Sequence, residues 1–179
     1  EGKSTVSANL AVTWAEEKKR VLLIDADLRR PTVHRTFNVS NRYGLSNIIT
    51  SSANTVNISE MIDKTEIKNL DVLTSGPTPP NPAELLGSDR LSQLLNFLKE
   101  KYDFIILDAP PVDTVTDGQV VASRADGVAL VVPQGIATKD AVMRAVKLLQ
   151  RVKANILGVI MNRFTAQEAG GYYGGYYSN

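Results

Sequence analysis

Glu1-Gly2-Lys3-Ser4-Thr5 opens the chain and reads as the second half of a phosphate-binding loop, G-x-x-x-x-G-K-[S/T]. A glycine lets the backbone approach phosphate oxygens and aim several N–H groups at them. A lysine places a point charge on the β- and γ-phosphates, and a serine hydroxyl after it ligates Mg²⁺. A helix starting at this point adds the positive end of its dipole. Gly-Lys-Ser-Thr taken alone also fits any lysine-bearing turn before a helix, so the rest of the chain has to choose. The first glycine of the motif would precede residue 1, which leads to the expectation of a strand and half a loop upstream.

Composition narrows the options. The chain has 179 residues, enough for one domain with a sizeable core, and 43% hydrophobic against 22% charged residues is a globular balance. A net charge of +1 gives no electrostatic case for nucleic acid. Cysteine is absent, which excludes disulfides, thiol catalysis, Fe–S clusters and Cys-zinc sites. The single histidine, His34, rules out a histidine metal cluster and reads as a loop residue. No apolar run approaches the roughly 18 residues that span a bilayer, and no signal peptide is expected.

Helical spacing of apolar residues over 5–19, nearly all round, predicts a helix packed against a sheet. Val21-Leu22-Leu23-Ile24 follows as a strand buried on both faces, and it ends in Asp25-Ala26-Asp27-Leu28-Arg29-Arg30-Pro31. Carboxylates at the carboxyl end of such a strand sit where open α/β sheets bind ligands. Short helices are expected over 45–50 and 58–64, a strand over 70–74, and an extended loop over 77–82, which is too rich in proline for a helix or inner strand. Ser88 is expected to cap a helix with Leu91, Leu94, Leu95 and Leu98 on its core face. Asp103–Asp108 is a second strong strand ending in an acid, Val128–Val132 a third buried strand, 138–152 an amphipathic helix, and Ile156–Met161 a fourth strand ending at Asn162. Alternating strands and helices imply an α/β fold with a mostly parallel twisted sheet flanked by helices. Residues 1–164 then form the domain, and 165–179 a flexible tail carrying Tyr172, Tyr173, Tyr176 and Tyr177 among glycines.

Four pieces are expected at one edge of that sheet: the lysine loop, Asp25 with Asp27, Asp108, and Asn162. Three acids beside a lysine and a serine are the equipment of a magnesium–nucleotide site. Each acid alone is an ordinary strand-end turn residue. Two apolar strands that both end in Asp, downstream of Gly-Lys-Ser-Thr, favour the site.

The residues also carry a resemblance. Val21-Leu22-Leu23-Ile24-Asp25-Ala26-Asp27-Leu28-Arg29-Arg30-Pro31 resembles the second Walker A-type motif of the bacterial tyrosine kinases (BY-kinases), and Phe104-Ile105-Ile106-Leu107-Asp108-Ala109-Pro110-Pro111 resembles their Walker B. Gly2-Lys3-Ser4-Thr5 is similar to the end of their Walker A, and the tyrosine-rich tail to their autophosphorylation cluster. Ser75-Gly76-Pro77, Pro80-Asn81-Pro82 and Glu84-Leu85 resemble the family's connecting stretch. The family's E-x-x-R-x-x-R helix, used in ring assembly, would lie upstream of residue 1.

The resemblance implies an ATP-dependent protein-tyrosine kinase of the P-loop fold that phosphorylates its own C-terminal tyrosines and regulates capsular or exopolysaccharide synthesis. It implies a cytoplasmic protein recruited to the inner membrane face by a transmembrane activator, ring-shaped homo-oligomers when unphosphorylated, and protein substrates. In that reading Gly2 and Lys3 hold the β- and γ-phosphates of ATP, and Thr5 reaches the α-phosphate. Ser4, Asp27 and Asp108 serve Mg²⁺, Asn162 reads adenine, and Asp25 orients and deprotonates the tyrosine hydroxyl. Arg29 and Arg30 either stabilise the phosphoryl group or bind an acidic neighbour. The rival reading is a non-kinase ATPase switch of the septum-positioning or plasmid-partitioning kind on the same fold.

Overall fold

The computed structural model describes residues 2–51 and 57–163. In chain order the elements are α1 (Lys3–Glu16), β1 (Val21–Asp25), α2 (Val33–Thr36), α3 (Leu45–Thr50), a 3-10 turn (Ile58–Met61), β2 (Asp63–Lys64), β3 (Leu70–Leu73), α4 (Pro82–Leu86), α5 (Asp89–Lys99), β4 (Phe104–Asp108), α6 (Thr116–Ala122), β5 (Val128–Pro133), α7 (Lys139–Arg151) and β6 (Ile156–Asn162). The tyrosine-rich tail lies outside the described residues.

The apolar runs become strands for the expected reason. β1 is buried along its whole length, because β3 and β4 flank it in parallel and helices cover both faces. The strand order is β2-β3-β1-β4, with β5-β6 as a parallel pair alongside. One core layer gathers Leu22, Ile24 and Leu73 against Leu91, Leu94, Leu95 and Leu98 of α5. The other packs Ala8, Ala11 and Ala15 of α1 against Val21, Leu23 and Val72. Alanine on the inner face of α1 lets helix and sheet approach closely.

Several expectations need correction. Residues 58–64 do not form one helix: a 3-10 turn ends at Met61, and Asp63–Lys64 pairs antiparallel with β3. That strand is too short for its polar pattern to register in the sequence. The proline-rich stretch ends in a short helix, α4, with Pro82 in its first turn, where a missing N–H costs nothing. Helix α6 has no counterpart in the sequence reading. Ser88 occupies the N-cap position of α5, but its hydroxyl donates to the Leu85 carbonyl (2.6 Å) instead of capping. Thr138 does cap α7, accepting from Ala141 N–H at 3.2 Å.

Strands β4 and β5 are less buried than their apolar sequences imply. Both line an apolar cavity of about 680 Å³, to which Val6, Leu10 and Trp14 of α1 also contribute. No described strand bridges it. Trp14 stacks on Phe104 at a centroid distance of 4.2 Å. No described helix is long and apolar enough to cross a membrane.

At the opposite edge of the sheet, Arg20 grips Asp103 just before β4. The guanidinium donates to Asp103 at 2.8 and 3.3 Å, and the Arg20 backbone N–H at 2.8 Å. These bonds hold the Asp103 carboxyl down at a pKa of about 2. A carboxylate with a depressed folded pKa stabilises the fold above its unfolded pKa, near 4, and loses that contribution as pH falls toward 2. Replacing Arg20 with Met is expected to return the Asp103 titration toward about 4, as read from its side-chain carbon shifts by NMR.

Candidate active site at the carboxyl edge

Parallel pairing sets the geometry of this edge. β1 and β4 run in register, so Asp25 and Asp108 are direct partners at their carboxyl ends. Both are buried, and each holds its pKa above the ordinary carboxylate value. Burial is the first cause for Asp25, which reaches about 6, with repulsion from Asp108 adding to it against three backbone hydrogen bonds. Burial also raises Asp108, opposed by Ser4, Ser7 and Lys3.

Asp108 faces the start of α1. The Ser7 hydroxyl donates to its Oδ1 at 3.1 Å. Ser4 and Lys3 also pull its pKa down, yet Oδ2 is buried without a well-formed hydrogen bond among the described residues. A buried carboxylate oxygen in that condition is costly unless a cation or donor meets it. The donor set of a serine hydroxyl and carboxylates is oxygen only, which suits Mg²⁺. Among the described residues no group of three or more His, Cys, Asp or Glu stands ready as a cage. Mg²⁺ is bound through one or two carboxylates plus phosphate and water. The residues therefore fit the ion.

Asp25 has a task the sequence did not announce. Its Oδ1 accepts from Asp27 N–H (3.3 Å), and its Oδ2 from Thr32 N–H (2.9 Å) and Val33 N–H (3.0 Å). It closes the 25–33 loop from inside and is fully buried. Asp27 stands half-buried on that loop, its Oδ1 accepting from Arg29 N–H (3.2 Å) and Arg30 N–H (2.9 Å). Asp27 also acts electrostatically on Asp108, so the loop brings the two acids together.

Gly2 begins α1 with φ +81°, a left-handed conformation that glycine adopts at little cost. A side chain there would meet Asn162 as well, whose Nδ2 lies 2.2 Å from the position of a Cβ. Strand β6 thus delivers Asn162 onto the phosphate loop. Thr5 is exposed on α1. The arginine of the second motif takes the acidic-neighbour alternative: Arg29 binds Asp117 of α6 through Nε (2.7 Å) and Nη2 (3.2 Å). Arg30 is exposed.

Sequence reasoning missed two residues here. Ser7 stands three positions after Ser4, so both fall on one helix face, a spacing that carried the signal. Asp117 is a lone acid in the first turn of a short helix with three apolar residues in it, and only the fold shows that it is fully buried.

Residues 1–159 match the AAA domain family. The putative tyrosine-protein kinase CapB of Staphylococcus aureus is 42% identical over 172 residues, 96% of this chain and 74% of that protein. The crystal structure of the chimerical protein CapA2B2 superposes with a TM-score of 0.85 at 43% identity, covering 91% of this chain and 71% of the other. The septum site-determining protein MinD of Pyrococcus horikoshii OT3, solved with Mg-ADP, reaches a TM-score of 0.75 at 25% identity, covering 93% and 68%. The family match, the CapB identity and the in-register acids beside the Gly2-Lys3-Ser4 turn agree, and the chain belongs to the bacterial tyrosine-protein kinases within the AAA-domain P-loop proteins.

Proposed function

We propose that the protein is an ATP-dependent protein-tyrosine kinase that phosphorylates its own C-terminal tyrosines, Tyr172, Tyr173, Tyr176 and Tyr177, and acts in capsular or exopolysaccharide synthesis. The observation that carries this reading is the buried carboxylate of Asp108 beside Ser4 and Lys3 at the start of α1, its Oδ2 without a well-formed hydrogen bond among the described residues.

Gly2 and Lys3, with the N–H groups of the first turn of α1, hold the β- and γ-phosphates of ATP. Asn162 lies over that turn and contacts the base. Ser4, Asp27 and Asp108 hold Mg²⁺, which when bound supplies charge neutralisation on the transferred phosphoryl group. Asp25, with a pKa of about 6, is the group that orients the tyrosine hydroxyl and takes its proton; the 25–33 loop has to part for the hydroxyl to reach it. Alignment and charge neutralisation supply most of the rate. A transmembrane activator recruits the protein to the cytoplasmic face of the membrane. Unphosphorylated copies assemble into a ring in which one tail enters a neighbour's site. Tail phosphorylation adds negative charge and loosens that ring.

The test uses the full-length protein with Mg-ATP, with and without the cytoplasmic segment of a membrane activator, and Lys3→Met as the blank. Stepwise phosphate additions on Tyr172 to Tyr177, absent from the blank, are expected in tail-peptide mass spectra. ATP consumption with an unmodified tail would replace this reading with the ATPase switch.

A further inference from the structure

We infer that Asp117 is a positioning residue for Asp27 and acts through Arg29. The inference rests on the nucleotide-site reading above and adds to it a part that the Walker-type motifs do not contain. The side chain of Asp117 is fully buried, whereas that of its partner Arg29 is 46% exposed. The pair is a two-point fork, Nε to Oδ2 at 2.7 Å and Nη2 to Oδ1 at 3.2 Å, a geometry that fixes the guanidinium in direction as well as in distance.

Both ends of the fork lead to the site. On one side, the backbone N–H of Arg29 donates to Asp27 Oδ1, and that of Arg30 donates to the same oxygen. Fixing the Arg29 side chain therefore fixes the peptide that orients the Asp27 carboxylate. On the other side, α6 is seated on the loop that follows Asp108. A Cβ on Gly118 would come within 2.6 Å of the Pro110 carbonyl oxygen and 3.2 Å of that of Pro111, so the helix cannot approach this closely with a larger residue there. Asp117, its chain neighbour, is thereby anchored to the strand that ends in Asp108.

The result is a tie between the two carboxylate-bearing loops. Asp25 closes the 25–33 loop from inside through three backbone N–H groups. The Arg29–Asp117 fork closes it from outside. Asp27 lies between the two closures and inherits its direction from both. Asp117 touches neither phosphate nor metal in this arrangement; it sets where Asp27 points, as outer partners of metal ligands do.

The test titrates MgCl₂ into the full-length protein with a fluorescent ADP analogue and needs no phosphoryl transfer. Asp117→Asn keeps the size of the side chain and removes the ionic fork. It is expected to raise the Mg²⁺ concentration for half-maximal tightening of the analogue by about tenfold or more, the usual cost of losing an outer partner. Metal-free affinity should stay within about twofold of wild type, because the phosphate loop is untouched. Arg29→Lys keeps the charge but loses the fork and should fall between. The double variant Asp117→Asn/Arg29→Met should shift the Mg²⁺ midpoint no further than Asp117→Asn alone, because both changes break one contact. Equal losses of affinity with and without Mg²⁺, or additive shifts in the double variant, would overturn the inference. If Asp117→Asn does not fold by circular dichroism, Arg29→Lys reads the same contact from its exposed side, and an unshifted midpoint there overturns it. A shifted midpoint in a protein that never phosphorylates tyrosine would uphold the tie and defeat the kinase reading, so the two stand or fall separately.

Discussion

Asp108→Asn is expected to lower the rate of tyrosine phosphorylation by about 10³-fold or more while leaving a folded protein of slightly higher stability. The loss follows from position. Asp108 ends β4, faces the Ser4 and Lys3 side of α1, and keeps one buried oxygen without a well-formed hydrogen bond among the described residues. A cation held there would meet that oxygen and the phosphoryl charge together. An amide offers one oxygen without charge, so the neutralising cation is held weakly and the phosphoryl charge goes unbalanced. The gain in stability follows from the pairing register. Asp25 and Asp108 are buried neighbours; the charge of Asp108 helps to raise the pKa of Asp25, after burial, and the charge of Asp27 helps to raise that of Asp108. Removing one charge relieves that repulsion by about 1 kcal/mol, worth roughly 2–4 °C in a domain of this size. Ser7 can still donate to the amide oxygen, while the Nδ2 that takes the buried place of Oδ2 offsets part of that gain. Radiolabelled phosphate transfer and a thermal melt on the same preparation check both halves. A variant with lost activity and a lowered melting temperature would show that Asp108 is held chiefly for folding.

Gly44→Ala should be among the most destabilising single changes in the chain. A Cβ at Gly44 would lie 2.2 Å from the Thr74 carbonyl oxygen and 2.4 Å from the Gly76 nitrogen, and both are backbone atoms that cannot rotate away. Gly44 is in an extended conformation, so the argument rests on space and not on backbone preference. The close approach exists because two segments zip together there. Leu45 and Ser46 N–H donate to the Thr74 and Ser75 carbonyls at 2.8 Å each, while Asn41 binds Gly76 through both ends of its amide, 2.9 Å to the nitrogen and 3.1 Å to the carbonyl. Admitting a methyl group breaks several of these bonds at once in a buried setting. The expected cost is about 3–4 kcal/mol, or a fall of about 10 °C in melting temperature, measured by calorimetry. A change under about 1 kcal/mol would mean that the two segments slide apart freely, and the connection would then be ornamental to the fold.

What the sequence made legible depended on how local the cause was. α3 appears over its expected range, and β4 begins one residue later than its apolar run suggested. The stripe Leu91, Leu94, Leu95 and Leu98 is core, as its spacing required. The acids at two strand ends and the lysine turn were readable because each motif lies within a dozen residues. The antiparallel strand β2 was not, because two residues carry no pattern and its pairing with β3 is decided by tertiary contact. Helix α6 escaped because its seven residues hold too little periodicity. Asp117 escaped for a related reason: its partner lies 88 positions away, and nothing local marks an acid as buried. Asp25 shows a subtler limit. Its place at a strand end was evident, but not that three backbone N–H groups of its own loop would occupy its oxygens.

The stacked pair at the far end of α1 has a practical use. Trp14 is the only tryptophan in the chain, and it lies on Phe104 with ring centroids 4.2 Å apart. The helix that carries it begins with Lys3 and Ser4, and the strand that carries its partner ends in Asp108. The two rings therefore sit on the same two rods whose opposite ends meet across the phosphate loop. Any slide or tilt of the helix along that strand, of the kind a nucleotide would impose, must change the overlap of the rings and the apolar surroundings of the indole. The protein carries its own optical gauge, and the arrival of a ligand at one end can be followed as a change of emission at the other without attaching a dye.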